Sequence, residues 1–156
     1  MIHIHRPGQE PFEIDFILLD FEGTLASDCR VHSKVKDKIN LLSKRTRIYI
    51  LTKEEKERVE EILKKVKAEI IYVTEGESSQ KKLELLRQLG PTRTVAVGNG
   101  TDDGSVMEEA ALSLCVIGKE GASSEAVKNA NVVFTNVLDV LDFLLKPLRQ
   151  KATLGL

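Results

Sequence analysis

Phe16-Ile17-Leu18-Leu19-Asp20-Phe21-Glu22-Gly23-Thr24-Leu25 decides how the rest of the chain is read. Four apolar residues run straight into an aspartate, and a glycine and a threonine follow within one turn. An apolar run this short, ended by a turn signal, reads as a buried strand of a parallel sheet. Open α/β folds keep their ligand crevice at the carboxyl ends of such strands. A carboxylate placed there is costly unless a metal, a lysine or backbone amides meet it. Asp20 therefore either helps to cap a turn or does chemistry, and the flanking sequence has to separate the two.

Upstream, Ile2, Ile4, Phe12 and Ile14 alternate with polar residues around Pro7-Gly8, which predicts a short β-hairpin leading into the strand 16–20. His3 and His5 share one face of that hairpin at a spacing a metal site could use, but exposed histidines on an edge strand are the commoner case. Downstream, Val35, Ile39 and Leu42 mark a helix over 33–44, and Ile48–Leu51 a second buried strand ending at Thr52. Glu54–Lys67 carries Val59, Ile62, Leu63 and Val66 at helical spacing on a charged background, which reads as a solvated helix face. Ile70–Val73 is a third strand, and Lys81–Leu89 a helix stopped by Gly90-Pro91. Thr94–Val97 is a fourth strand, followed by a polar loop, Gly98–Gly104, and a helix to about Ala111. A fifth strand (114–117), a short helix (123–129), a sixth strand (132–134) and a closing helix (137–145) complete the pattern. After Pro147, which ends that helix, the residues beyond Arg149 are expected to form a loosely held tail. Strands alternating with helices throughout predict a doubly wound parallel sheet, covered on both faces in a three-layer α/β arrangement.

The chain has 156 residues, which fits one domain over 1–156. Its formal net charge of −1 gives no pull toward nucleic acid or membrane. Cys29 and Cys115 cannot form a disulfide framework and read as thiols in a reducing compartment. Met1–His5 shows no secretory signal, and no apolar run approaches the length of a bilayer span. The expected location is cytoplasmic, with no membrane and no nucleic-acid partner.

Right-handed crossovers bring the carboxyl ends of these strands to one rim. That rim carries Asp20, Thr52 and the Asn99–Asp103 loop. Lys82 shares a helix face with Leu86 and Leu89, so its stem should lie inward along apolar surface, with Lys81 as the alternative. Taken singly, each has a plain structural reading: Thr24 and Thr52 as caps, Lys82 as a surface lysine, Asp102-Asp103 as a turn. Together, at one rim, they read as an active site. The glycine loop does not suit a dinucleotide, because Gly98, Gly100 and Gly104 have the wrong spacing and two aspartates would face a pyrophosphate.

Asp20-Phe21-Glu22-Gly23-Thr24, Ile50-Leu51-Thr52, Lys82 and Gly98-Asn99-Gly100-Thr101-Asp102-Asp103, in that order, resemble the motifs of the haloacid dehalogenase-like superfamily. The likeness is nearest to the phosphorylation domain of P-type ATPases and its soluble relatives, and covers roughly residues 16–147. The resemblance implies a magnesium-dependent phosphatase with Asp20 as the nucleophile that forms an aspartyl phosphate. Thr52 would hold a phosphoryl oxygen, and Lys82 would neutralise nucleophile and phosphate. Magnesium would bridge Asp20, the main-chain carbonyl of Glu22 and the loop of Asn99 and Asp103.

The chain departs from the family pattern at three positions. Glu22 stands where phosphatases of the superfamily usually have aspartate as acid and base, and an extra methylene displaces the carboxyl. Asn99 stands where the first loop acid usually ligates the metal, and Asp102 replaces the usual asparagine. These departures imply retained but slow catalysis. They also keep a rival reading: a nearly inactive domain that binds phosphate or a protein partner. Positions 25–51 and 53–81 are used up by helices and strands, leaving no room for an inserted cap domain. An open site of this kind calls for a large phosphorylated substrate or for a second subunit, in a homo-oligomer, that covers it.

Overall fold

The computed structural model describes residues 1–155. Strands β1 (Ile2–Arg6) and β2 (Gln9–Ile14) pair antiparallel and form the expected hairpin as a two-stranded sheet of its own. Gly8 supplies the turn with a φ of +75°, a conformation that glycine adopts without penalty. There follow β3 (Phe16–Asp20), α1 (Ser33–Leu42), β4 (Arg47–Thr52), α2 (Lys56–Ile62), β5 (Glu69–Tyr72), α3 (Ser78–Leu89) and β6 (Thr94–Gly98). The second half comprises α4 (Gly104–Glu109), β7 (Leu112–Val116), α5 (Ser124–Asn129), β8 (Val132–Phe134), α6 (Val137–Leu145) and α7 (Pro147–Leu154).

β3 to β8 make a six-stranded parallel sheet in the order β5-β4-β3-β6-β7-β8. The chain steps one way from β3 to β5 and the other way from β6 to β8. The reversal leaves a crevice outside the carboxyl ends of β3 and β6. Asp20 ends one of those strands and the Asn99–Asp103 loop follows the other.

Alternation along the strands divides the core into two. Ile17, Leu19, Ile50 and Val97 lie in one cluster with Val35 and Ile39 of α1, Val59 of α2 and Leu141 of α6. Leu18, Leu51 and Ala96 lie in the other with Leu86 of α3, Met107 of α4 and Ala126 of α5. Burying one such side chain stabilises the fold by about 1.5–3 kcal/mol, and a one-residue slip would turn the whole set to the wrong face. The same parity puts Asp20, two residues after Leu18, on the side of α3 and α4.

Several element boundaries differ from the sequence pattern. α2 stops at Ile62 instead of running to Lys67, because Leu63 leaves helical backbone (φ −97°, ψ 20°) and Lys65 turns the chain at φ +67°. α3 begins at Ser78, since its polar first turn has no apolar period to reveal it. β7 begins at Leu112, two residues early. The residues after Arg149 are not a loose tail but belong to α7, which opens with Pro147 at a position where its missing N–H costs nothing. Gln150 in α7 is buried and donates to the carbonyls of Phe143 (2.8 Å) and Leu144 (3.3 Å), and α7 also packs against β1. Between β3 and β6 no inserted domain occurs among the described residues, as the spacing predicts. No helix among the described residues is long and apolar enough to cross a membrane.

Candidate active site

The site is built on the end of β3. Asp20 is 6% exposed, and the ladder continues one step beyond it, with the Phe21 N–H donating to the Leu51 carbonyl (3.0 Å). The chain then folds into a small rim hairpin. Gly23 N–H donates to Ala26, Ala26 N–H to Phe21, and Ser27 and Arg30 exchange both backbone bonds around Asp28-Cys29. Asp28 and Cys29 both take left-handed backbone (φ 51° and 60°), as a two-residue hairpin turn requires. Gly23 has φ +72°, and a Cβ there would run into the Asn99 carboxamide, so only glycine lets β3 and the β6 loop approach this closely.

Lys82 joins the elements. It is 3% exposed, and its ammonium group donates to Asp20 (3.0 Å), Asp102 (3.0 Å) and Asp103 (2.8 Å), so all three of its protons are used. Lys81 is exposed, which settles which of the two lysines faces the rim. Asp103 accepts from Lys82 with one oxygen and from the Asn99 and Gly100 amides with the other, both at 3.0 Å. Asp102 accepts from the Ser78 hydroxyl (2.6 Å), and the Lys53 ammonium group lies 3.5 Å away. Asn99 accepts from the Thr24 hydroxyl (3.2 Å).

Thr52 and Glu22 form a pair on the other side of Asp20. The Thr52 hydroxyl donates to the Glu22 carboxylate, and the Lys53 amide donates to the same oxygen (2.9 Å). Thr52 also accepts from the Glu54 amide (3.0 Å), so its cap-like role and its place at the rim coexist.

Three carboxylates around one buried ammonium leave an excess of negative charge. Burial pushes the Asp20 carboxyl well above the usual range, Asp103 adds to this, and Lys82 offsets only part of it. For Lys82, burial works against the charge, but Asp20, Asp103 and Asp102 outweigh it and hold the proton more tightly than usual. For Asp102, burial also works against the charge, yet the Ser78 hydrogen bond and the two lysines bring its pKa down to about 2.

The donor set fits a hard divalent cation. Asp20 and the Asn99 amide oxygen offer hard oxygen donors at the rim. The set is lean: among the described residues no three His, Cys, Asp or Glu side chains converge on a metal position, and both Asp103 oxygens already have partners. A site with so few carboxylates leaves positions on such a cation for further oxygen ligands. The void that touches Asp20, Lys82 and Asp103 measures only about 10 Å³.

Asp20, Glu22, Thr52, Lys82, Asn99 and Asp103 thus all come to the rim. Three contributors escape the sequence reading. Ser78 sits four residues before Lys82 on the same helix face, a spacing that could have revealed it. Lys53 directly follows Thr52 but reads as one more surface lysine. Thr24 reads as a cap, and instead ties the rim hairpin to Asn99.

No protein-family model matches the chain. An uncharacterized protein of Methanocaldococcus jannaschii is 39% identical over 83 residues, which is 53% of this chain and 89% of that protein. Among solved structures, the 3-deoxy-D-manno-octulosonate 8-phosphate phosphatase from Moraxella catarrhalis, in complex with magnesium ion, phosphate ion and KDO, is similar with a TM-score of 0.72. Its identity is 15%, over 87% of this chain and 88% of that one. The cobalt-bound deoxy-D-mannose-octulosonate 8-phosphate phosphatase from Haemophilus influenzae has a TM-score of 0.70 at 14% identity, over 90% of this chain and 91% of that one. At such identities the likeness is one of fold, over most of both chains. The chain belongs to one family with the Methanocaldococcus jannaschii protein, and it shares its fold with these two phosphatase structures.

Proposed function

We propose that this chain is a phosphatase-like hydrolase that acts on a phosphorylated substrate through an aspartyl phosphate on Asp20. The observation that carries the reading is the buried Lys82 ammonium group, which holds one Asp20 oxygen and leaves the other free at the sheet's switch point. A carboxylate so oriented is a nucleophile with its geometry set in advance. Its free oxygen attacks phosphorus while the leaving-group oxygen departs and takes a proton from Glu22 in its acid form. Water then attacks the phosphorus of the aspartyl phosphate, Glu22 accepts the water's proton, and phosphate leaves with Asp20 restored. Lys82 neutralises charge at the acyl phosphate, and Thr52, on exchanging Glu22 for a phosphoryl oxygen, orients the group. Asp20, the Glu22 main-chain carbonyl and Asn99 would hold a magnesium ion, with Asp103 behind them. When bound, it supplies charge neutralisation of the phosphoryl oxygens. The magnesium and cobalt in the two similar structures support a divalent metal here.

Hydrolysis of p-nitrophenyl phosphate with magnesium, by this protein and its Asp20→Asn variant, tests the reading. The expected outcome is metal-requiring turnover that disappears in the variant. Equal activity in both proteins would remove Asp20 as the nucleophile. The rival reading, a phosphate-binding domain without turnover, draws support from the engagement of Glu22 by Thr52 and Lys53. Phosphate binding with magnesium but no hydrolysis of the activated ester would select it.

A further inference from the structure

A second cavity opens on the same rim, between the rim hairpin, the Gly118–Gly121 turn after β7 and the start of α6. Its volume is about 380 Å³, within the roughly 300–1,000 Å³ of small-molecule sites. Its lining has two parts. Leu25, Val35, Val116 and Val137 give it apolar surface, whereas Arg30, His32 and Lys119 bring donors. Among the described residues neither Arg30 nor Lys119 is paired with an acid. His32 accepts the Lys34 N–H on Nδ1 (3.1 Å), so the neutral ring carries its proton on Nε2 and can donate from there. Glu120 is the acid in the lining, so the two cations leave a positive balance.

Ser27 also lines this cavity. An occupant that carries negative charge and has an apolar body matches the two unpaired cations and the apolar wall. Gly23 and Thr24 also line the cavity, and Thr24 is hydrogen-bonded to Asn99, so an occupant would lie beside the phosphoryl site without touching Asp20.

We propose that this cavity is a binding site for a small carboxylate with an apolar body, brought either as part of the phosphorylated substrate or as a separate ligand. The proposal rests on the cavity and not on hydrolysis. Three probes separate the sources: benzoate, phenyl phosphate and 4-carboxyphenyl phosphate, titrated into ¹⁵N-labelled full-length protein and followed by amide chemical shifts. Benzoate should shift the resonances of Ser27, Arg30 and Lys119 saturably, and the Arg30→Ala/Lys119→Ala double variant should bind it at least tenfold more weakly. Tighter binding of 4-carboxyphenyl phosphate than of phenyl phosphate, with that preference lost in the double variant, makes the carboxylate part of the substrate. Benzoate binding without such a preference makes it a separate ligand. Absence of binding by both carboxylates, or binding that the double variant leaves intact, overturns the proposal. These titrations read occupancy, so their outcome does not depend on whether p-nitrophenyl phosphate is hydrolysed.

Discussion

Glu22 is bonded to Thr52 and to the Lys53 amide, and this arrangement separates the two half-reactions experimentally. A nitrophenolate leaves without a proton, so phosphorylation of Asp20 by p-nitrophenyl phosphate does not need an acid. Attack of water on the aspartyl phosphate does need a base, whose removal typically slows a step by about 10²–10⁴-fold. Glu22→Gln should therefore release one equivalent of nitrophenolate in a burst and then turn over at that reduced rate. Rapid-quench kinetics without a burst, or with an unchanged steady state, would take Glu22 out of the mechanism. Asp20 offers a second prediction, on stability. Its carboxylate is crowded by burial and by Asp103, and Lys82 keeps two other carboxylates when Asp20 becomes an amide. Without metal, Asp20→Asn should melt about 2–4 °C higher, the effect of roughly 1 kcal/mol in a chain of this size, and excess magnesium should narrow the gap. A lower melting temperature would mean that the Asp20–Lys82 pair stabilises more than the crowding costs.

At the scale of elements, what the sequence makes legible are interruptions of pattern. Asp20, Thr52 and Asn99 each end an apolar run at a strand terminus, so topology alone brings them to one rim. Lys82 is legible because its neighbours Leu86 and Leu89 fix the buried face of α3. Contacts between distant elements are not legible, because a serine, threonine or lysine looks the same whether it meets water or an aspartate. The packing of α1 against α6 is such a case: Lys38 is hydrogen-bonded to Asp142, with Lys146 and Arg149 at 3.7 and 3.6 Å. The Lys38 hydrogen bond, helped by the charges of Lys38, Lys146 and Arg149, holds the Asp142 carboxyl below the usual range. A carboxylate with a lowered pKa in the fold contributes stability above its unfolded pKa of about 3.9, and loses it as pH falls through the folded value. Asp142→Asn should cost on the order of 1 kcal/mol at pH 7, and the difference from the unsubstituted protein should close in strong acid. Chemical denaturation of both proteins at pH 7 and near pH 3 checks this. A difference that persists undiminished in acid would assign the effect to packing and not to charge.

For the whole molecule, alternation of strand and helix determines the sheet, and the reversal between β3 and β6 determines where its crevice lies. The sequence pattern loses the chain after Pro147, where the apolar period weakens and Leu148 is 82% exposed, so nothing periodic announces a helix. α7 is held by a different device. Gln150 reaches back to the last carbonyls of α6, which have no intrahelical donors, and Leu154 packs against the cluster that contains Ile2 and Ile4 of the hairpin. The hairpin, α6 and α7 therefore close one end of the molecule together. Gln150→Ala removes a buried donor from two buried acceptors, a change worth about 1–2 kcal/mol. For a chain of this length that corresponds to a fall in melting temperature of about 2–8 °C. The substitution lies outside the rim, so kcat/KM on p-nitrophenyl phosphate at 25 °C should not change. An unaltered melting temperature would return α7 to the status of a loosely held tail. A fall in activity at full stability would instead require a coupling between α7 and the rim, for which α6 is the element that meets both.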